Sequence, residues 1–239
     1  MYVKAILHNK TTTMKHTIFI LGLSILISCC SFSQTTADDF LQKGDAFYKQ
    51  KEYFKAIEQY DKAIEKDAKF IAAYINKGQA LEFERKFQEA IDNYNALLKI
   101  FPNQTEGLMR RGISSIKIQK FQDGLYDLQT ANKQCPNNAK ILCNLGLCKI
   151  GMGDTTGIKE LDLSIYLDST DHSAFYNRGL GKIMSKDYKG AIKDLEKAIV
   201  LKPDSGEAYF SIGLSKFFLG DKENACIYWR KSIDNGYIR

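Results

Sequence analysis

Histidine and proline are scarce in this chain, which has three of each among 239 residues. His8 and His16 lie near the N-terminus, so His172 is the only histidine in the rest of the sequence. This scarcity argues against a histidine-rich metal site or a Ser-His-Asp triad. Three prolines are too few for a proline-rich linker or a collagen-like tract. The composition is otherwise that of a globular chain, 44% hydrophobic and 26% charged, and helix is the first expectation.

The N-terminal region lacks acidic residues. Residues 1–28 contain three lysines, and the apolar stretch Ile18–Ile27 is broken only by Gly22 and Ser24. This stretch is too short to span a bilayer, which requires roughly 20 apolar residues. The pattern is typical of a cleaved secretory signal peptide, which we predict over residues 1–28, with Met14 as an alternative start.

Two processing routes follow from this leader. Leu26-Ile27-Ser28-Cys29 resembles the bacterial lipobox, in which the cysteine becomes the lipidated first residue of the mature protein. We favour this route, which makes Cys29 the lipidation site and residues 29–36 a short tether to a cell-envelope membrane. The alternative is ordinary cleavage near Ser33, which releases a soluble periplasmic or secreted protein.

The charge balance argues against a nucleic-acid partner. The whole chain has 34 basic and 28 acidic residues, and removing the leader removes three lysines and no acids. The predicted mature chain is therefore nearly balanced, without the basic excess of a nucleic-acid binder.

Six glycines recur in phase, with intervals of 34, 34, 34, 33 and 34 residues. We call them the core glycines: Gly44, Gly78, Gly112, Gly146, Gly179 and Gly213. A large apolar residue precedes each by four positions: Phe40, Tyr74, Leu108, Leu142, Phe175 and Tyr209. This period predicts stacked helical hairpins, each burying its apolar face against its neighbours.

The second half of each repeat is also regular. A small residue follows each core glycine by eleven or twelve positions: Ala56, Ala90, Gly124, Gly157, Ala191 and Ala225. A bulky residue comes four positions later: Tyr60, Tyr94, Leu128, Leu161, Leu195 and Trp229. Small residues let paired helices approach closely, and the bulky ones fill the space between them. Pro102, Pro136 and Pro203 are expected to end second helices.

These patterns resemble the tetratricopeptide repeat (TPR) family, most clearly in Tyr176-Asn177-Arg178-Gly179 and Ala191-Ile192-Lys193-Asp194-Leu195. We predict an all-α solenoid of six units over residues 37–70, 71–104, 105–138, 139–171, 172–205 and 206–239. Ala68 replaces the boundary proline in the first unit, and the fourth unit is one residue short. The resemblance implies a right-handed superhelix whose concave face holds a partner peptide or helix.

The resemblance implies binding and no chemistry, so we expect neither an enzyme nor a cofactor. The predicted function is a protein interaction scaffold at the bacterial cell envelope, with protein or peptide partners and no nucleic acid. The alternative is an assembly role in which the ends of the array stack on other copies or on an envelope complex. The family's clamp for C-terminal carboxylates is incomplete here. Asn76 and Arg110 fit it, but Leu41 and Asp45 stand where lysine and asparagine are needed.

An apolar strip on the first helices is the predicted partner-binding groove, with Phe217 and Phe218 as anchors. The alternative is that much of this strip is core between neighbouring units. The strip consists of Met109, Ile113, Ile116, Leu147, Tyr176, Leu180, Ile183, Met184, Phe210, Leu214, Phe217 and Phe218.

Three other features favour structural explanations. The glycine-rich segment Gly151–Gly157 lacks the spacing of a phosphate loop and is expected to be a turn within the fourth unit. Cys135, Cys143, Cys148 and Cys226 lack metal-site spacing, so we expect buried free thiols and no metal site, with a Cys135–Cys143 disulfide as the alternative. His172 with its neighbours is expected to form a polar turn.

Overall fold

The computed structural model describes residues 35–237, which form twelve α-helices and no strand. The predicted signal peptide, Cys29 and Ser33 lie outside the described residues. The first six helices are α1 (Ala37–Lys49), α2 (Tyr53–Lys66), α3 (Ile71–Phe83), α4 (Phe87–Ile100), α5 (Thr105–Lys117) and α6 (Phe121–Gln134). The next six are α7 (Ala139–Gly151), α8 (Ile158–Leu167), α9 (His172–Met184), α10 (Tyr188–Leu201), α11 (Gly206–Phe218) and α12 (Lys222–Asp234).

The predicted all-α fold is confirmed. Each odd-numbered helix packs against the even-numbered helix that follows it, and each such pair then packs against the next pair along the chain. We refer to these as helix pairs, from α1/α2 to α11/α12. The arrangement is that of a solenoid, in which hydrophobic burial comes from neighbours in sequence.

The core glycines allow the two helices of a pair to touch. At Gly179 an added Cβ would lie 2.8 Å from Cγ of Leu195, and at Gly146 it would lie 2.6 Å from Cγ of Leu161. Both leucines are fully buried. The bulky residue of each second helix therefore occupies the space that a side chain on the core glycine would need.

The turn between the paired helices has one conformation throughout. The residue seven positions after each core glycine has a positive φ: Lys51, Arg85, Gln119, Gly153, Lys186 and Gly220. A left-handed residue ends a helix by directing its amide back to a carbonyl of the last turn. The expected turn in the fourth pair is present, as a 3₁₀ segment at Thr155–Gly157 that precedes α8.

The boundaries between pairs follow the predicted proline positions. Helices α4, α6 and α10 end two residues before Pro102, Pro136 and Pro203, as proline sterics require. Asp171 caps α9 by accepting a hydrogen bond from the Ser173 amide at 2.8 Å, which is the structural role of the Asp171-His172-Ser173 turn.

Candidate functional site

A groove of about 790 Å³ runs along the odd-numbered helices from α3 to α11. Its apolar floor comes from α5, α7 and α9, through Ile113, Ile116, Leu147, Tyr176 and Leu180. Four of these side chains are only partly buried, and Ile116 is largely covered. The volume lies within the range of about 300–1,000 Å³ typical of ligand sites.

A hydrogen-bonded network closes the α3/α5 end of the groove. The carboxylate of Glu82 accepts hydrogen bonds from the Tyr94 hydroxyl at 2.9 Å, the Ser114 hydroxyl at 3.1 Å and Arg110 Nη1 at 3.3 Å. Arg110 Nε also donates to Glu106 at 2.5 Å. Because two carboxylates already engage Arg110, this arginine is a poor anchor for a ligand carboxylate.

Burial raises the pKa of Glu82 above its ordinary value, while the Arg110 charge and the hydrogen bonds from Tyr94 and Ser114 oppose that shift. The dominant effect is desolvation of the carboxylate between two helix pairs. Glu82 thus connects α3 to the next pair at a cost in electrostatic free energy.

The rim of the groove has a different charge at its two ends. Lys117 and Lys140 line the side formed by α5 and α7, whereas Asp168, Asp171 and Glu207 line the side formed by α9 and α11. Within residues 35–237, neither lysine has a carboxylate partner within 4.0 Å, so both ammonium groups face solvent.

The acidic side is compensated only in part. Asp168 accepts hydrogen bonds from the Thr170 amide and hydroxyl, and Asp171 accepts one from the Ser173 amide. These donors are neutral, so both aspartates keep their net charge. The basic residues that line this side are Lys202 and His172, whose Nδ1 lies 4.0 Å from Asp171 Oδ1. The rim therefore has two lysines beside α5 and α7 and an excess of carboxylates beside α9 and α11.

Cys143 lines the groove with a buried thiol. Asn177 Nδ2 lies 3.6 Å from its Sγ, and burial raises the pKa of the Cys143 thiol to about 12. The thiolate, which is the reactive form, is therefore not populated near neutral pH. Cys148 is buried as well, whereas Cys135 and Cys226 are exposed, and all four are free. The expectation of burial was wrong for Cys135 and Cys226.

The structure distributes the predicted strip over three environments. Ile113, Ile116, Leu147, Tyr176 and Leu180 line the groove, and each also packs in a core cluster, so this part of the strip is groove floor and inter-helix core at once. Met109 and Ile183 pack in core clusters that join neighbouring helix pairs. The remaining members, which do not line this groove, are Met184, Phe210, Leu214, Phe217 and Phe218.

Sequence reasoning missed the charged rim. Lys140, Asp171 and Glu207 lie at or just before the first turns of α7, α9 and α11. The predicted strip followed only the apolar residues nearest to each core glycine. The sequence did contain a signal for this rim, since charged residues recur near the starts of successive first helices. Parallel helices bring their N-termini to one edge of the solenoid, so these charges lie close together.

A smaller cavity of about 220 Å³ lies between α1 and α3. Asp45 Oδ1 accepts hydrogen bonds there from the Tyr60 hydroxyl at 2.8 Å and Asn76 Nδ2 at 2.9 Å. Asn76, which matches a carboxylate-clamp position, is therefore engaged with an acidic residue of its own chain. A ligand carboxylate would be repelled by Asp45.

No helix among residues 35–237 has the length and apolar character needed to cross a bilayer. In the same part of the chain, no group of three or more His, Cys, Asp and Glu side chains is placed to hold a metal ion.

Comparison with protein families identifies the repeat. A TPR repeat model matches residues 44–82, and a tetratricopeptide repeat model matches residues 71–104 and 206–235. Together with the helical solenoid, these matched segments support a tetratricopeptide repeat protein. This fold is that of a protein–protein interaction scaffold, and proteins that have it are generally non-enzymatic.

Solved structures share the fold. The crystal structure of MamA protein is 26% identical, covering 69% of this chain and 91% of that chain, with a TM-score of 0.56. A tetratricopeptide repeat protein from Parabacteroides merdae is 17% identical, covering 84% of this chain and 80% of that chain, with a TM-score of 0.68. A chain of the APC/C hetero-tetramer Cut9-Hcn1 is 16% identical, covering 93% of this chain and 44% of that one, with a TM-score of 0.78. Comparison with curated protein sequences gives no match.

Proposed function

We propose that this protein is an interaction scaffold that binds an extended segment or helix of a partner protein in the groove of α5, α7 and α9. The observation that carries the proposal is the partly exposed apolar floor of Ile113, Leu147, Tyr176 and Leu180, framed by charged side chains. Apolar side chains that are left accessible in a concave site favour a ligand that buries them.

The charges on the rim define the partner further. An acidic side chain of the segment would lie beside Lys117 and Lys140, and a basic one beside Asp168, Asp171 and Glu207. Apolar side chains between them would cover the floor. Complementary charges of this kind orient a ligand and contribute more to specificity than to affinity.

We further propose that the twelve helices form six repeat units in a right-handed superhelix, and that the protein works at the cell envelope. The signal-peptide pattern and Cys29 support export with lipidation, with soluble export after cleavage near Ser33 as the alternative. The groove would then face partners on the exported side of a membrane.

Designed peptides test the groove. The probe is a fluorescent peptide with an apolar centre, glutamates at one end and lysines at the other, measured by fluorescence anisotropy. We expect it to bind more tightly than peptides with the same centre and either glutamates or lysines at both ends. Lys140→Glu should weaken its binding by about three- to tenfold, because one favourable surface charge becomes an unfavourable one.

Lys193→Glu is the matched control, since Lys193 is an exposed lysine of α10 that does not line the groove. Its affinity should match that of the wild type. Failure of every peptide to bind would refute the groove as the binding site. If Lys140→Glu and Lys193→Glu lost affinity for the peptide equally, the proposed role of the rim charges in orienting the ligand would be refuted.

Labelling with a fatty acid tests the anchor. We expect the wild-type protein to take up the label and fractionate with membranes, and Cys29→Ala to do neither. An unlabelled, soluble wild type cleaved near Ser33 would instead support the soluble form.

A further inference from the structure

The cavity between α1 and α3 continues the register of the groove. It is lined by Asp45 and Gln79, each of which directly follows a core glycine. The residues that directly follow the next three core glycines all line the groove: Ile113, Leu147 and Leu180. Equivalent positions on successive units of a solenoid lie side by side along one face. This face therefore continues from the groove to the α1/α3 cavity and changes there from apolar to polar.

The carboxylate of Asp45 is held in place with one of its oxygens unused. Oδ1 accepts hydrogen bonds from the Tyr60 hydroxyl and Asn76 Nδ2, whereas Oδ2 accepts none within residues 35–237. Tyr60 is 1% exposed, and burial together with the hydrogen bond to Asp45 raises the pKa of Tyr60, so its hydroxyl remains a donor. Both donors are neutral, so neither compensates the charge of Asp45.

Glu82 shows how a carboxylate of the same face is compensated. Three residues after Gln79 on α3, it accepts hydrogen bonds from two hydroxyls and from the Arg110 guanidinium. In the described part of the chain, Asp45 has no basic nitrogen within 4.0 Å, and the exposed Lys49, which lines the same cavity, makes no ion pair. The α1/α3 cavity therefore favours a ligand that supplies a positive charge to Asp45.

The other lining groups fit an ammonium group. The side-chain amide of Gln79 has no hydrogen-bond partner among residues 35–237, and its carbonyl oxygen is a second acceptor. Tyr48 and Tyr60 line the cavity with aromatic rings, whose faces attract cations. Tyr48 makes edge-to-face contacts with Tyr53 and Phe83, at centroid distances of 5.4 and 5.6 Å. The volume of about 220 Å³ is below the range of about 300–1,000 Å³ typical of small-molecule sites and suits a single side chain.

We propose that the α1/α3 cavity binds a lysine side chain of the partner segment that occupies the groove. This inference rests on the proposed function and adds one specificity site to it. The ammonium group would donate to Asp45 Oδ2 and to Gln79, beside the ring of Tyr48. An arginine fits less well, because a bidentate guanidinium needs two free carboxylate oxygens and Oδ1 already accepts two hydrogen bonds.

Extended versions of the charge-ordered peptide test this site by fluorescence anisotropy. A lysine is added beyond the glutamate end through glycine-serine spacers of about three to nine residues. Neighbouring helices lie about 8–10 Å apart, so α1 is roughly 20 Å from α5, which a spacer of about six extended residues spans. We expect the lysine to raise the affinity about three- to tenfold, with a maximum near that spacer length. Norleucine in its place, which lacks the charge, should give no gain.

Asp45→Asn is the decisive variant, because asparagine retains an acceptor for Tyr60 and Asn76 and lacks the charge. It should abolish the gain from lysine while its affinity for the unextended peptide matches that of the wild type. Asp92→Asn is the matched control, since Asp92 is an exposed aspartate of α4 that lines neither the groove nor the cavity, and it should retain the gain. Lys49→Ala removes the competing ammonium group of the cavity and should enlarge the gain at least about twofold.

Equal affinities of the lysine and norleucine peptides overturn the proposal, as does a gain that persists in Asp45→Asn. A loss of affinity of Asp45→Asn for the unextended peptide indicates a structural role for Asp45 and also overturns it. If the unextended peptide binds and the lysine adds nothing, the groove stands and this site alone fails, whereas both fail if no peptide binds. Should circular dichroism show that Asp45→Asn unfolds, Lys49→Ala decides, and an unchanged gain in that variant overturns the proposal.

Discussion

Arg111 donates two hydrogen bonds of 2.7 Å to the two carboxylate oxygens of Asp127, and a third of 2.8 Å to Asn95 of the preceding helix pair. Arg178 repeats this pattern between Asp194 and Asp162. Each arginine directly precedes a core glycine and so joins three helices. These bridges add a polar connection between pairs to the apolar contacts of the solenoid.

Removing one partner of the Arg111 bridge should be costly, because Asp127 is only 3% exposed. We expect Arg111→Met to lower the free energy of unfolding by about 2–4 kcal/mol, since it leaves a buried carboxylate without a partner. Urea unfolding measures this change. Arg178→Met should cost less, because Lys182 lies 2.8 Å from Asp194 and remains. Equal decreases in the free energy of unfolding for Arg111→Met and Arg178→Met would contradict this explanation. So would an Arg111→Met/Asp127→Leu double variant that is no more stable than Arg111→Met alone.

The α7/α8 pair is expected to be the least protected part of the array. Helix α8 has 10 residues where the other even-numbered helices have 13 or 14, and the turn before it contains Gly153 and Gly157. In a solenoid, a pair with fewer contacts opens at lower free energy than its neighbours. Hydrogen exchange should be faster in α8 than in α6 and α10. Equal protection in all three helices would contradict the prediction.

The raised pKa of Glu82 predicts a pH dependence of the stability of the array. Its pKa is raised above 4.5 by burial, so its protonated form is favoured in the folded state. This contribution to stability is fully present below pH 4.5 and is lost as the pH rises through the raised pKa. Relative to the wild type, Glu82→Gln should therefore gain stability between acidic and neutral pH. A constant difference across that range, measured by urea unfolding, would contradict the assignment.

The four cysteines should differ in reactivity. A maleimide should modify Cys135 and Cys226 in the folded protein, because both are exposed, and should reach Cys143 and Cys148 only after unfolding. Burial also raises the pKa of the Cys148 thiol to about 11, which suppresses its thiolate. Mass spectrometry of labelled peptides identifies the sites. An unreactive Cys135 that becomes reactive after reduction would point to a disulfide.

Much of the fold could be predicted because its contacts repeat. Gly179 and Leu195 meet across a helix pair at a spacing that recurs along the chain, so the sequence alone indicated both the helices and their packing. The groove was harder to predict. Leu180 and Ile183 lie on one side of α9 and both pack in core clusters, yet only Leu180 also lines the groove. A stripe of apolar residues does not distinguish these environments, since they differ only in which neighbouring helix covers each residue.

Phe217 illustrates the same difficulty at the end of the array. Its spacing from Gly213 places it on the predicted strip, but the equivalent Ile150 shows that this position faces the next helix pair. The charged rim was missed because Lys140 and Glu207 lie at helix starts, outside the apolar periodicity. Placing Phe217 at an inter-pair position, and Lys140 and Glu207 on the rim, required knowing how neighbouring helix pairs are arranged.

Hydrogen exchange with and without the charge-ordered peptide tests the central claim most directly. If the groove is the binding site, added protection will concentrate in α5, α7 and α9, and Lys140→Glu will reduce it. Protection confined to α11 and α12, or absent at peptide concentrations that saturate the anisotropy signal, would contradict the account.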